Sequence, residues 1–256
     1  MQNETRPLKL KVDGAGIAEN LRIRVKGRSN MTLFPDCFLV DINNLSAKEL
    51  EAVRRAKYLS AVGEDQSTIC YGEITDIYLH QEDLAKVTSI TVADGKAFWE
   101  TKVSKSVGAG ASVRSAINSI CEGIPVGSFL ADDVRMLRGQ TFVGRLPDCI
   151  STLAKTLNAR AYITRGMLHF TQAGKADDPV TIQEKDLTGN PSKASGILIL
   201  KTKVKGFPVG IMVRYNGRMY RLISQTIDAD NQSGLWQAEL MLLDESELDY
   251  DGMGGG

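Results

Sequence analysis

Residues 67–119 read STICYGEITDIYLHQEDLAKVTSITVADGKAFWETKVSKSVGAGASVRSAINS. Thr68–Leu79 and Lys86–Ala93 are rich in β-branched and aromatic residues and have the pattern of strands. A tight Asp94-Gly95 turn and the aromatic pair Phe98-Trp99 follow. Thr101–Val107 then reads as a basic strand, Gly108 and Gly110 break it, and a helix starts at Val113. In that helix Val113, Ala116, Ile117 and Ile120 recur at i, i+3, i+4 and i+7, one apolar face of a 3.6-residue period. A β unit thus hands over to an α/β unit, and this handover sets the fold class as α+β, mainly β.

Upstream, Leu8–Val12 and Leu21–Val25 alternate apolar residues with Lys or Arg, the signature of half-buried strands with one basic face. Asp13-Gly14-Ala15-Gly16 is read as the connection between them. Cys37–Ile42 is a third, nearly all-apolar strand. Ser46 with Glu49 three residues on forms a capping box, so a helix starts there, with Leu50, Val53 and the stem of Lys57 facing inward. Downstream, Gln140–Val143 suits a short strand. Pro147 and Asp148 open a second amphipathic helix striped by Ile150, Leu153, Ala154 and Leu157. Ala161–Thr164, Arg165-Gly166 and Met167–Thr171 make a hairpin. Ile197–Val204 starts a second β region, and Gly210–Tyr215, Asn216-Gly217 and Arg218–Ser224 form its clearest hairpin, because Asn-Gly supplies the positive φ of a type I′ turn. Asp228–Gly234 turns the chain into Leu235–Leu243. The expected division is a first β unit with one crossover helix (1–107), an α/β unit (108–190), a second β unit (191–243) and a disordered acidic, glycine-rich tail (244–256).

Formal net charge is zero, which argues against a protein that grips nucleic acid through a basic field. The charge is nevertheless uneven. Residues 1–30 carry seven basic and three acidic side chains, whereas residues 222–256 carry eight acids and no Lys or Arg. Two readings stay open: solvated strand faces, or complementary contact surfaces between subunits. The four cysteines, Cys37, Cys70, Cys121 and Cys149, are scattered without a CxxC and suit buried free thiols. Residues 1–20 are polar and charged, so no secretory signal is expected, and no run is long and apolar enough to span a membrane.

Chemistry is scarce. His80 and His169 each stand alone in a strand pattern. Gly108-Ala109-Gly110 lacks the third glycine and the distant acid of a dinucleotide fingerprint. Asp228-Ala229-Asp230-Asn231-Gln232-Ser233-Gly234 lacks the glycine and glutamate of a calcium loop. The adjacent pairs Asp132-Asp133 and Asp177-Asp178 point apart on any regular element, so they suit loops or caps better than two-carboxylate catalysis. Neither catalytic residues nor a cofactor nor a metal is expected. Phe98, Trp99 and Trp236 are the aromatics expected to close a β core or anchor an interface. A ligand-stacking role for Phe98-Trp99 stays open.

The residues from Val40 onward resemble the baseplate hub proteins of contractile-tailed, Mu-like phages, relatives of the late-control D proteins. The resemblance rests on Val40-Asp41-Ile42-Asn43-Asn44-Leu45-Ser46 leading into a helix and on Tyr71-Gly72-Glu73-Ile74-Thr75-Asp76-Ile77. It continues through Ser89–Ala93 with Asp94-Gly95, Val103-Ser104, and Gly108-Ala109-Gly110-Ala111-Ser112-Val113. Leu153–Asn158 before the hairpin Ala161–Phe170 and the final β region fit the same plan, so the resemblance covers about residues 8–243. It implies a hub-ring architecture, with two barrel-like β domains and an α/β domain between them. It also implies a non-enzymatic structural subunit of the virion, assembled in the host cytoplasm. Such a subunit forms a homotrimer with a tail tube protein above, a spike protein below and baseplate wedge proteins around it. DNA would cross its lumen during genome ejection without specific binding. A subunit of another contractile injection system, a tail-borne cell-wall hydrolase and a glycan-binding β module are the alternatives.

Overall fold

The structure, a computed structural model, describes residues 7–17 and 20–244. Strands β1 (Lys9–Val12) and β2 (Ala15–Ile17) form a hairpin around Asp13-Gly14, both at positive φ. The 13–16 stretch is therefore a turn and the start of a strand, not a plain connection. Next come β3 (Ile23–Asn30) and β4 (Asp36–Asn43). Helix α1 (Ala47–Arg55) begins with the expected capping box: Glu49 N donates to Ser46 Oγ, and Ser46 N donates to the Glu49 carboxylate at 2.9 Å. Val53 is its buried residue. Lys57 lies past the helix end and is exposed, its ammonium 5.0 Å from the Tyr58 ring centroid, so its stem does not join the core. Strands β5 (Tyr58–Val62), β6 (Thr68–Glu82) and β7 (Ala85–Asp94) complete the first β region.

Gly95, at φ 83°, ends β7 and opens the one-turn helix α2 (Lys96–Glu100), which holds Phe98 and Trp99. Then follow β8 (Lys102–Val107), α3 (Val113–Ile120), β9 (Val126–Leu130), β10 (Gln140–Arg145), α4 (Leu146–Thr156), β11 (Ala159–Thr164) and β12 (Met167–Gln172). All four expected apolar positions of α3 are buried, and Ser112 caps it by accepting from Ser115 N. The last region holds β13 (Val180–Thr181), β14 (Ser192–Ala194), β15 (Ile197–Lys203), β16 (Met212–Tyr215), β17 (Arg218–Asp230) and β18 (Trp236–Asp244). Arg165-Gly166 and Asn216-Gly217 both turn with two positive φ values, as type I′ hairpins require. The tail expected at 244–256 lies outside the described residues except for Asp244.

Among the described residues, thirteen strands form one sheet in the order β14-β15-β18-β17-β3-β4-β7-β6-β5-β1-β2, with β16 and β13 branching from β17. Its path ends at β14 and β2 and does not close into a barrel. The decisive pairing is β17 with β3, antiparallel from Ser224↔Asn30 to Asp230↔Arg24, which joins the two β regions edge to edge across some 200 residues of chain. Their apolar faces share one core, in which Leu10, Ile23, Val40 and Ile90 pack with Leu200, Leu222, Ile227 and Leu240. A second core gathers α2, α3, α4, β8, β10, β11 and β12 around Ile117, Leu146, Ile150 and Phe170. The molecule is thus mainly β with a few helices.

Candidate assembly surface

The uneven charge is first used inside the chain. Because β3 and β17 are neighbours, the basic face of one meets the acidic face of the other. Arg22 donates two hydrogen bonds to Asp230, at 2.7 and 3.1 Å to Oδ2, and Arg24 makes a bidentate pair with Asp228 at 3.0 Å. Burial alone would raise the Asp230 carboxyl. The Arg22 guanidinium and the N–H groups of Gln232 and Ser233 outweigh it and hold the pKa at about 2. The same contacts raise Arg22 and Arg24. The carboxylate of the calcium-like loop is thereby engaged by an arginine and its own turn.

The three aromatics picked from sequence are not brought together. Phe98 lies inside the second core. Trp236 lies in the first, where its indole Nε1 donates to Val204 O at 3.2 Å. Trp99 is half-buried at the surface. Its ring sits 4.7 Å from that of Phe34, which is 52% exposed, and the Arg145 guanidinium lies 6.0 Å from its centroid.

Two further surface features were not singled out in the sequence. The first is an arm, the outer edge of β6 beyond β5 together with the β6–β7 hairpin end. β7 stays paired with β4 as far as Val87, so only residues 81–86 extend past the β4 edge. β5 pairs with β6 only up to Glu73. A bulge at Thr75 follows, and from Asp76 to Glu82 β6 pairs with β7 alone. Tyr78 and Leu79 are exposed along this arm, and Leu84, in its two-residue turn, is 98% exposed. The second is the β8–β10 ribbon, which among the described residues pairs with no other strand. Val103, Val107 and Phe142 face the core, while Lys102, Ser104, Val143 and Arg145 face out. Val143 is 71% exposed, and Leu137, in the loop past the Val107 end, is 95% exposed. A large apolar residue in a tight turn, such as Leu84 after Asp83, is the signal that sequence reading could have used.

The two cores meet at a latch. Arg165 N and Gly166 N, in the β11–β12 turn, donate to the Asp94 carboxylate at 2.5 and 2.6 Å. The Arg165 guanidinium donates to the carbonyls of Thr68, at 3.2 Å, and Gly206. Burial pushes Asp94 up to about 6 although these N–H groups pull the other way. Asp36, its cross-strand partner in β4, is pushed by burial up to about 7.

As for chemistry, Ser128 and His169 do meet. Ser128 N donates to Nδ1 at 3.1 Å and the hydroxyl lies 2.9 Å from the same nitrogen. The ring stacks on Tyr162, burial lowers its pKa, and no carboxylate is hydrogen-bonded to it among the described residues. Asp133 caps α3 by accepting from Arg114 N, and Asp132 pairs with Lys175, so these adjacent acids diverge. No cluster of three metal-ligating side chains occurs among the described residues, and no described helix is long and apolar enough to cross a membrane. All four cysteines are free, with Cys37 exposed instead of buried.

No family model matches the chain and no curated protein matches its sequence. Solved structures do match its fold. The 43 kDa tail protein of prophage MuSo2 from Shewanella oneidensis is similar with a TM-score of 0.68 at 10% identity, over 95% of this chain and 100% of that one. The chain has a phage tail-protein fold. A tail protein of Neisseria meningitidis MC58 is similar at TM-score 0.65 and 12% identity, over 93% of this chain and 96% of that one. The E. coli c3393 protein scores 0.64 at 11% identity, over 93% and 77%. That protein is described as a type VI secretion component with structural similarity to the T4 tail proteins gp27 and gp5. The tail-protein fold therefore spans nearly the whole described chain, from the first β region through the latch to β18.

Proposed function

We propose that the chain is a non-enzymatic structural subunit of a phage tail baseplate hub. On this reading three copies form a ring that joins the sixfold tail tube to the threefold spike around the DNA channel. The observation that carries it is the likeness to the MuSo2 tail protein over that protein's whole length. The pairing of β17 with β3 supports it, since each chain then sets two β units side by side, and three chains offer six around an axis. Residues 1–107 and 191–243 would be those ring units, with 108–190 as the α/β unit between them, on whose core α2 and β8 at the end of the first unit pack. Trp99, half-buried at the surface beside Phe34 and Arg145, is the aromatic anchor of the three proposed; Phe98 and Trp236 serve from inside the cores. The likeness to c3393 favours a second reading, the hub of another contractile injection system.

Light scattering on the chain, alone and co-expressed with candidate tube and spike proteins, tests the reading. A trimer, or a complex with either partner, is expected. Trp99→Ala is expected to weaken that assembly while the isolated chain still unfolds cooperatively. A chain that stays monomeric with every candidate, or that hydrolyses cell wall, would overturn the hub. Capture of a secretion-system tube in place of a phage tube would select the second reading.

A further inference from the structure

Among the described residues, eight large apolar side chains are exposed, and six of them fall on the two features described above: Tyr78, Leu79 and Leu84 on the arm; Val134, Leu137 and Val143 on the ribbon and its loop. A seventh, Phe34, borders the ribbon through Trp99 and Arg145. Apolar surface gathered into patches marks contact sites, whereas single exposed residues do not.

The two patches have opposite charge. Residues 76–86 contain Asp76, Glu82 and Asp83 against a single cation, Lys86 on the return strand. Residues 101–107 and 134–145 contain Lys102, Lys105, Arg135, Arg138 and Arg145 and no acid. Of these, Lys105 is neutralised by Glu122 and Arg145 lies over Trp99.

The patches also match in length and in backbone need. Among the described residues, the outer edge of β6 is free of strand partners from Asp76 to Glu82, and β10 pairs on one side only, with β8, from Gln140 to Arg145. At about 3.3 Å per residue both run roughly 20 Å. An open strand edge flanked by apolar side chains is a template for another chain, and proteins that leave one uncovered risk uncontrolled association.

We propose that the β6–β7 arm of one copy docks on the β8–β10 ribbon of the next, its acids and leucines against the ribbon's cations and apolar side chains. The occupant is a second copy because the two patches complement each other in sign, length and apolar content. Two different patches make a head-to-tail contact, which closes into a ring when the rotation allows. This rests on the hub reading and assigns that ring its subunit contact.

Charge reversal on the full-length chain tests it, with mass measured by light scattering alone and with the tube partner. Glu82→Lys with Asp83→Lys reverses the arm; Lys102→Glu with Arg145→Glu reverses the ribbon. Each pair is expected to weaken assembly by at least about tenfold, and the four changes together in one chain to restore it to within about threefold. All four side chains are exposed, so circular dichroism should be unchanged. If rings form equally well with either reversed pair, or the combined variant is not rescued, the arm–ribbon contact is wrong while the hub stands. If the wild-type chain assembles under no condition, both fall.

Discussion

Asp36 and Asp94 show what burial does to a single side chain. They face each other across β4 and β7, nearly sealed from solvent, and each spends its oxygens on backbone N–H groups, of Asn30 for one and of Arg165 and Gly166 for the other. Their pKa values of about 7 and about 6 lie above the ordinary carboxylate value near ~4. Between those limits the folded chain keeps protons that the unfolded chain has released. Stability from these two groups is therefore full at low pH and is lost as pH rises through about 6 to 7, by at most about 1.4 kcal/mol per pH unit for each proton. Asp230 acts in the opposite sense, but its window lies between about 2 and the ordinary value. His169, lowered by burial, opposes the trend below pH ~6.5. The clean readout is thus a difference. Asp36→Asn keeps an acceptor for Asn30 N and cannot ionise, so its urea midpoint should gain on wild type as pH rises from ~5 to ~7.5. A constant gap would mean that Asp36 titrates normally. None of this was legible in the sequence, because Asp36 and Asp94 are 58 positions apart and look like turn acids. Phe98 and Trp236 could be picked as core or interface residues, but which aromatic stays at the surface depends on what α2 packs against.

Among elements, those whose cause is local were readable. The capping box of α1, the four-residue stripe of α3, the Pro147 start of α4 and the two Gly-containing hairpins each carry their signal within about a dozen residues. Others were missed for physical reasons. Strands β2, β13 and β14 have only two or three residues each. Helix α2 has five residues, too few to show a period. Strand β5 is short and buried on alternate and then adjacent residues, and β9 has no buried residue at all. The latch was also invisible, since Arg165-Gly166 reads only as a hairpin turn. Its energetics make a prediction. Arg165→Met keeps most of the apolar stem but leaves the Thr68 and Gly206 carbonyls without their guanidinium donor. An orphaned buried acceptor costs about 1–3 kcal/mol, against a total stability of about 5–15 kcal/mol. The variant should unfold at clearly lower denaturant, and protease cleavage near 67–68 and 205–207 should rise first. If its midpoint matches wild type, water or neighbouring groups satisfy those carbonyls and the latch is not what joins the two cores.

For the molecule as a whole, the pairing of β3 with β17 carries most consequence, and no local pattern announces it. Alternation in Ile23–Asn30 and Arg218–Asp230 says that each is a strand with a buried face. It does not say that they are partners, and the charge asymmetry that hints at it fits a contact between subunits equally well. Once paired, the two β regions are not separate folding units. Leu200, Val213, Leu222, Ile227, Leu240 and Leu242 fill the same core as Leu10, Ile23, Val40, Leu59 and Ile90. Full burial of one such side chain contributes about 1.5–3 kcal/mol. Removing even the first six would take away about 9–18 kcal/mol, as much as the roughly 5–15 kcal/mol by which a domain is stable. It would also bare the edge of β3 from Arg24 to Asn30, an invitation to aggregation. A chain cut after residue 190 should therefore show no cooperative thermal transition and should partition to the insoluble fraction, although it retains every strand of the first β region. Formation of the native sheet must also wait for closure of a loop of some 200 residues, so refolding of the full chain should be slow compared with helical proteins of its size. A soluble 1–190 fragment with a sharp unfolding transition would show that the first β region closes its own core, and that β17 is an addition to it instead of a part of it.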